Sequence, residues 1–389
     1  MIRSAAIRCL PIVLATAGGS PAETRKPSRA ILFVIDGMHW QAPKRLGLTN
    51  VLRLADEGTW VTQAYCILPA HPTTGPYGKL HTTSLPNATL QSGTLFIGPG
   101  TRMVQECFFP KRLTAHGVNI TAYRSLNRGF SYSMMLNGGP DAAVVDWGID
   151  LFKRADIRFA RLHLQDAGSA GAKCTQTKDD VPWRRNIWGQ GSPYVSALRN
   201  ADTLLGRLVD ALKQMGKWSD TLLIVMADHG QATTGWHPPS QEDGWITPLI
   251  FVGPGVARGR VLEYAEHIDV VPTLCDLMGV EPPCKGPGSG VVLNEIKVCH
   301  SGKSPARPQR VRIINRLIRD YLLLQGKMRV RVPSDPSLER AIVLAERQFY
   351  GVDRILDWHE AGTLDQLIQT NRSVIEQIRQ ALLESTASK

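Results

Sequence analysis

Short apolar runs alternate with amphipathic stretches over the first 280 or so residues. Ala30 to Ile35 reads AILFVI and stops at Asp36-Gly37. A continuous apolar run of that length predicts a strand buried on both faces, as in a parallel sheet. Thr221 to Ala227 (TLLIVMA) repeats the pattern and stops at Asp228-His229. Val118 to Tyr123, Ala142 to Trp147, Ile157 to Gln165 and Pro248 to Val252 are further strand candidates. Between them, Tyr194, Leu198, Ala201, Leu205, Leu208, Val209 and Leu212 recur at spacings of three and four. They predict a helix from Pro193 that ends at Gly216. Asn50 to Gly58 and Ile268 to Met278 read as shorter helices. The alternation predicts an α/β fold with a mainly parallel central sheet covered by helices on both faces. Pro69 to Gly100, rich in Pro, Gly, Thr and Ser, reads as a long loop, and long loops in compact domains usually carry function. After about residue 300 the pattern changes to long amphipathic helices such as Leu364 to Leu383, a helical C-terminal extension over 301–389.

Composition narrows the picture. The chain has 389 residues, 43% of them hydrophobic and 20% charged, which is ample for a buried core and excludes a disordered or collagen-like chain. No apolar run reaches the roughly 18 residues a transmembrane helix needs. The formal charge of +11 favours anionic partners. Much of the excess falls between Lys303 and Arg347, where it reads as a solvated helical face, with a weak contact to an acidic surface as the functional alternative. Aromatics do not interleave with these charges as a base-stacking platform requires, so no specific nucleic acid partner is expected. The sequence leaves the oligomeric state open. At the N-terminus, Arg3 and Arg8 precede an apolar stretch from Cys9 to Ala17 and small residues through Ala22. Residues 1–22 therefore read as a signal peptide, or else a disordered leader, and an exported (periplasmic or secreted) protein is expected. The cysteines after Cys9 (Cys66, Cys107, Cys174, Cys275, Cys284 and Cys299) are even in number, compatible with disulfides in such a compartment. No CxxC is present.

The candidate chemistry lies at the strand ends. Asp36, Asp166 and Asp228 each follow a predicted buried strand, and ligands of open α/β sheets bind beyond the carboxyl ends of the strands. Singly, each is as well explained as a helix N-cap or turn residue. Together they would crowd like charges into one crevice, which a divalent cation relieves. His229, and His237 in a polar loop, add imidazoles, and a mixed Asp/His set suits zinc, with manganese as the alternative, better than calcium.

These pieces resemble the alkaline phosphatase superfamily, within it the type I phosphodiesterase/nucleotide pyrophosphatase and sulfatase-like branch. The resemblance runs in order through Ile35-Asp36-Gly37, the Ser84 to Gly93 segment (SLPNATLQSG), Leu164-Gln165-Asp166 and Ala227-Asp228-His229-Gly230. It continues through Gly235-Trp236-His237, Pro248-Leu249-Ile250, Gly253-Pro254-Gly255 and the helix from His267 to Met278 with Asp269, Pro272 and Thr273. It implies an alkaline-phosphatase-like catalytic domain over about 28–300. It also implies a metal-dependent hydrolase of phosphate esters, monoester or diester, that acts through a Ser or Thr nucleophile and a covalent intermediate on an anionic ester substrate. By the same resemblance, Asp36, Asp228, His229 and the nucleophile hydroxyl form one zinc site, while Asp166 and His237 contribute to a second.

The chain departs from the family at two places. Its nucleophile loop is one residue short: counted from Pro86-Asn87 the nucleophile is Ser84, counted back from Ser92-Gly93 it is Thr83, with Thr73 and Thr74 more distant options. The family's His four residues after the middle Asp is Ala170 here, so unequal occupancy of the two sites is expected. Two rival readings remain beside the phosphate ester hydrolase. A sulfatase-like sulfuric ester hydrolase of the formylglycine type fits Ser84 and Pro86, but has Ala88 where its loop needs Arg. A degenerate, non-catalytic anion binder fits the shortened loop and Ala170. His39, His71, His81 and His163 read as packed or hydrogen-bonded side chains, with contact to a phosphoryl oxygen as the alternative for His71 and His81 in the loop region. His163 in particular is expected to alternate to the face opposite Asp166.

Overall fold

The computed structural model describes residues 26–66, 80–83, 97–108, 113–238, 241–285, 289–299, 307–349 and 363–387. The leader over 1–22, Ser84, Thr73, Thr74 and His71 lie outside the described residues.

Nine described strands form one sheet: β1 (Arg29–Ile35), β2 (Thr59–Tyr65), β3 (Leu113–Val118), β4 (Tyr132–Met135), β5 (Ile157–Leu164), β6 (Thr221–Met226), β7 (Ile246–Val252), β8 (Arg260–Leu262) and β9 (Ala265–Glu266). The order is β4-β3-β5-β1-β6-β7-β2-β8, with β9 beside β2. β1 pairs in parallel with both β5 and β6, and β7 runs antiparallel to its two neighbours. Ile35 is in register with Leu164, and Val34 with Met226, so Asp36 leaves the central strand where β5 and β6 also end. That edge is where an open parallel sheet places a ligand.

Alternation along β1 divides the core. Ile31, Phe33 and Ile35 enter a layer built with α2 (Thr49–Glu57), α3 (Asp141–Arg154), α4 (Asp166–Gln176) and α5 (Pro193–Gln214), after the short α1 (Ala42–Leu46). Ala30, Leu32 and Val34 face the other layer, with α6 (Val270–Met278). The mainly parallel, doubly covered sheet is thus present, and β1, β5 and β6 are buried on both faces, as their sequences require.

Three local expectations are corrected. Ala142 to Trp147 lies inside α3, where Val144, Val145, Gly148, Leu151 and Phe152 form the buried stripe of a helix. A short apolar run reads equally as strand or helix, and the later members of the stripe decide it. The strand expected over Val118 to Tyr123 ends at Val118 instead, because Asn119 turns its amide onto neighbouring helix ends. Gly168 to Gly171 belongs to α4, not to a turn.

The C-terminal region forms α7 (Arg307–Arg331), α8 (Ser337–Gln348) and α9 (Thr363–Ala387). Ile314, Ile318, Ile342, Leu367 and Ile375 close over Tyr65, Cys66, Trp245 and Ile268, at the same end of the sheet as Asp36. Arg316 and Arg319 of α7 pair with Glu242, so part of the basic run is spent on docking this region. No described helix is long and apolar enough to cross a membrane. Cys66, Cys107, Cys174, Cys275, Cys284 and Cys299 are free thiols.

Candidate metal centre

Asp36 and Asp228 are 3% and 1% exposed, and His229 is 1% exposed. The sharp turn after β1 brings them together. Gly37 has φ 60°, a left-handed conformation glycine adopts without strain, and its N–H donates to Asp228 Oδ1 at 3.0 Å. Tyr194 of α5 holds the same turn, donating its hydroxyl to the Gly37 carbonyl at 2.7 Å and accepting from the His39 N–H at 2.8 Å.

The ring nitrogens define what each histidine can do. His229 Nδ1 lies 2.8 Å from the Gly230 carbonyl, which can only accept, so Nδ1 carries a proton there. In the neutral ring Nε2 then presents its lone pair, 3.2 Å from Asp228 Oδ2 and 3.8 Å from Asp36 Oδ1. Three electron-rich atoms facing one another in a dry site repel unless a cation lies between them. Ligands about 2.1 Å from one tetrahedral zinc stand roughly 3.4 Å apart, which fits these separations. Burial and the facing Asp228 carboxylate push the Asp36 carboxyl well above its usual range, as expected of such a pair without its counter-charge.

His163 is drawn into the same cluster: one of its ring nitrogens and oxygens of Asp36 and Asp228 all lie within 4.8 Å of one another. Its chemistry differs from that of His229. Arg161, a buried neighbour two residues earlier on β5, donates to His163 Nδ1 at 2.7 Å. A guanidinium cannot accept, so the ring proton sits on Nε2, which faces Asp36 Oδ2 at 3.2 Å. Burial and Arg161 hold this imidazole well below its usual range, so it is neutral. His163 is therefore a donor that orients Asp36, and Asp36, Asp228 and His229 are the groups with lone pairs to offer. Tyr123 stacks on His163 with ring centroids 5.0 Å apart and fixes its plane. Replacing His163 by Gln should lower metal affinity about 10–100-fold, as loss of a hydrogen bond to a ligand does, and leave stoichiometry unchanged. Calorimetric titration with zinc measures both, and loss of a whole equivalent would make His163 a ligand.

His237 packs against the outer side of His229, with centroids 4.1 Å apart, and Trp236 covers it at 4.2 Å. Asp166 is not brought to this cluster. Its Oδ2 accepts the N–H of Asp141, the first residue of α3, at 3.2 Å, and its Oδ1 accepts from Asn119 at 3.3 Å. Asp141 returns the arrangement: its Oδ1 accepts from the Gln165 and Asp166 N–H groups at the start of α4, at 2.8 and 3.1 Å. Burial beside Asp166 pushes the Asp141 carboxyl up to about 7. Helix capping thus claims the Asp166 carboxylate that was expected at a second metal site with His237, since free N–H groups at two helix starts need acceptors.

What approaches Asp36 from that side is backbone. A Cβ at Gly168 would stand 1.7 Å from Asp36 Oδ1, so α4 can pass here only with a glycine. Gly168→Ala should displace the Asp36 carboxylate and cut metal affinity at least tenfold, read by the same titration; unchanged affinity would show that α4 can shift.

Thr83, the alternative nucleophile, is fully buried with φ 57°, a strained conformation for a β-branched residue. Its hydroxyl donates to the Cys284 carbonyl at 3.1 Å and accepts the Cys284 N–H at 3.3 Å. It is spent on structure. His81, two residues earlier, is also buried; desolvation and Arg161 lower it to about 3, so it stays neutral. His39 accepts the Gln41 N–H on Nδ1 at 3.0 Å and has no place among the ligands.

A match to the Sulfatase family covers residues 163–280, the stretch that carries His163, Asp228, His229 and His237. The fold is shared with solved structures. A 2-O GAG sulfatase superposes with a TM-score of 0.57 at 16% identity, over 72% of this chain and 76% of that one. A member of the alkaline phosphatase superfamily from Vibrio parahaemolyticus gives 0.52 at 17%, over 72% and 74%. The chain shares the alkaline-phosphatase-like fold of these structures. Among curated superfamily proteins, a choline-sulfatase of Rhizobium meliloti (strain 1021) is 33% identical over 111 residues, 28% of this chain. A multifunctional alkaline phosphatase superfamily protein of Trinickia caryophylli is 29% identical over 128 residues, 31% of this chain. The matched stretches span only 22% and 24% of those two relatives. Members of the superfamily depend on metals, in keeping with the buried cluster around Asp36. The sulfatase matches favour the sulfuric ester alternative over the phosphate ester reading.

Sequence reasoning passed over Arg161 and Tyr123, and it read His163 as a packed or hydrogen-bonded side chain, which it is, without placing it at the cluster. It carried strand parity past Leu164, where β5 ends, to Asp166, which already belongs to α4. The usable signal was Arg161 and His163 at i and i+2, side chains of one strand face.

Proposed function

We propose that this protein is a metal-dependent hydrolase of sulfate esters. The observation that carries the reading is the convergence of Asp36, Asp228 and the His229 Nε2 lone pair, with the last two inside the segment that matches the Sulfatase family. Asp36, Asp228 and His229 would hold one ion, zinc or manganese. When bound, it lowers the pKa of a coordinated hydroxyl and offsets the charge of an anionic ester. His163 keeps Asp36 in place, and Tyr194 fixes the turn that carries it. We assign Ser84 as the nucleophile, attacking sulfur with release of the alcohol, after which water resolves the covalent ester. With Asp166 committed to helix caps, one equivalent of metal is expected.

The test is a comparison of nitrophenyl sulfate, nitrophenyl phosphate and bis-nitrophenyl phosphate on chelated protein resupplied with zinc or manganese. The sulfate should show the highest kcat/KM. Faster phosphate turnover would restore the phosphoric ester reading. No turnover by protein that holds its metal would make the chain an anion binder. Peptide mass spectrometry of Ser84 would show whether the hydroxyl is oxidised to the aldehyde of the formylglycine enzymes.

A further inference from the structure

We propose that the cavity between α1 and β2 is a binding site for an acidic sugar, separate from the metal centre. It encloses about 500 Å³ and is lined by Trp40, Gln41, Lys44, Arg45, Trp60 and Thr62. That volume lies within the roughly 300–1,000 Å³ typical of small-molecule sites. No residue of the metal centre lines it. Trp40 lies four residues beyond Asp36, and Tyr194 holds both the Gly37 turn and the His39 on which Trp40 stacks.

The walls are held before any ligand arrives. Trp40 is partly buried, donates its indole N–H to Asp243 Oδ1 at 2.9 Å and stacks on His39 at an interplanar angle of 16°. Trp60 is 8% exposed. Trp60 is therefore a closed wall set into the core, and Trp40 is the indole with a face to offer; a rigid ring loses little freedom on binding. The cations are placed by indoles, one of the cavity wall and one outside it: Lys44 Nζ lies 5.0 Å from the Trp60 ring centre, and the Arg45 guanidinium carbon lies 4.4 Å over the ring of Trp188. Such contacts are worth about 0.5–1 kcal/mol at exposed sites, enough to bias a rotamer. Among the described residues, neither cation pairs with a carboxylate, and no acidic side chain lines the cavity.

Three chemistries therefore meet in one place. An indole face suits the C–H face of a pyranose ring, two uncompensated cations suit sulfate or carboxylate groups, and Gln41 and Thr62 suit hydroxyls. A neutral sugar would leave both cations unused. A flat aromatic anion would leave Gln41 and Thr62 without partners. An acidic, hydroxyl-bearing ring uses all of them. This inference does not depend on ester hydrolysis at Asp36.

The test is titration of the full chain with a sulfated disaccharide, followed by tryptophan fluorescence and calorimetry. Chelator is present so that the metal centre does not compete. Saturable one-to-one binding is expected, at least tenfold weaker for the desulfated disaccharide. The Lys44→Gln/Arg45→Gln double variant should weaken binding tenfold or more. Lys327→Gln/Arg340→Gln, which removes two exposed cations elsewhere, should not change it. Hydrolysis of nitrophenyl sulfate by the Lys44/Arg45 variant should match the parent, so a failure of the hydrolase reading and a failure of this one are told apart. Absence of saturation overturns the proposal. So does equal weakening by the Lys327/Arg340 pair, which would mean diffuse attraction to a basic protein. Nitrophenyl sulfate competing as well as the disaccharide would overturn the sugar assignment.

Discussion

Asp36→Asn should abolish metal uptake and lower hydrolysis by roughly a thousandfold or more, since it removes the carboxylate whose Oδ1 faces His229 and whose Oδ2 accepts from His163. The substitution keeps size and shape, so the fold has no reason to fail. It also relieves a buried repulsion: without metal, Asp36 and Asp228 face each other out of water, and the Asp36 carboxyl is pushed upward for that reason. The metal-free variant should therefore melt no lower than the metal-free parent. The difference appears when zinc is added. The parent should gain about 2.7 kcal/mol at a hundredfold excess over its Kd, and the variant should gain nothing. Metal analysis, thermal melts with and without zinc, and kcat/KM on nitrophenyl sulfate measure the three effects. A variant that still binds one equivalent would remove Asp36 from the ligand set.

The second large effect concerns Ser84 and its neighbour. Ser84→Ala should cost several orders of magnitude in turnover while leaving metal content intact, because an attacking hydroxyl has no substitute. Thr83→Ala should behave in the opposite way. Its hydroxyl bridges the N–H and carbonyl of Cys284, so its loss should cost about 1–3 kcal/mol of stability and little in rate per folded molecule. Active-site titration in parallel with urea melts separates the two outcomes. A rate collapse in Thr83→Ala with an unchanged melt would move the nucleophile.

The sheet was legible because β1, β5 and β6 are buried on both faces and must read as unbroken apolar runs. Asp36 and Asp228 were legible as the first polar residues past such runs. Two things were hidden. The Asp141 run reads as strand over six residues and as helix over fourteen, and only the packing partner settles the period. The role of a histidine depends on which nitrogen is occupied, and that is fixed by a distant donor: Arg161 for His163, the Gly230 carbonyl for His229. Residue type and spacing contain neither fact. The apparent gap at Ala170 loses its force for the same reason, since the Asp166 it would have assisted is turned toward helix ends.

The reciprocal capping of Asp141 and Asp166 sets a trap for an alanine scan. Each carboxylate closes the opening turn of the other's helix, so removing either one loosens both, and the two deletions together should cost less than their sum. Asp166→Ala would then look like a catalytic knockout in a lysate assay, by lowering the amount of folded protein. Purified, it should bind its full complement of metal and turn over at close to the parental rate, with a depressed melting temperature as the sole lasting mark. An acid two residues past the end of a buried strand, a position that invites the name of ligand, would be recorded as essential for a reason belonging to two helices.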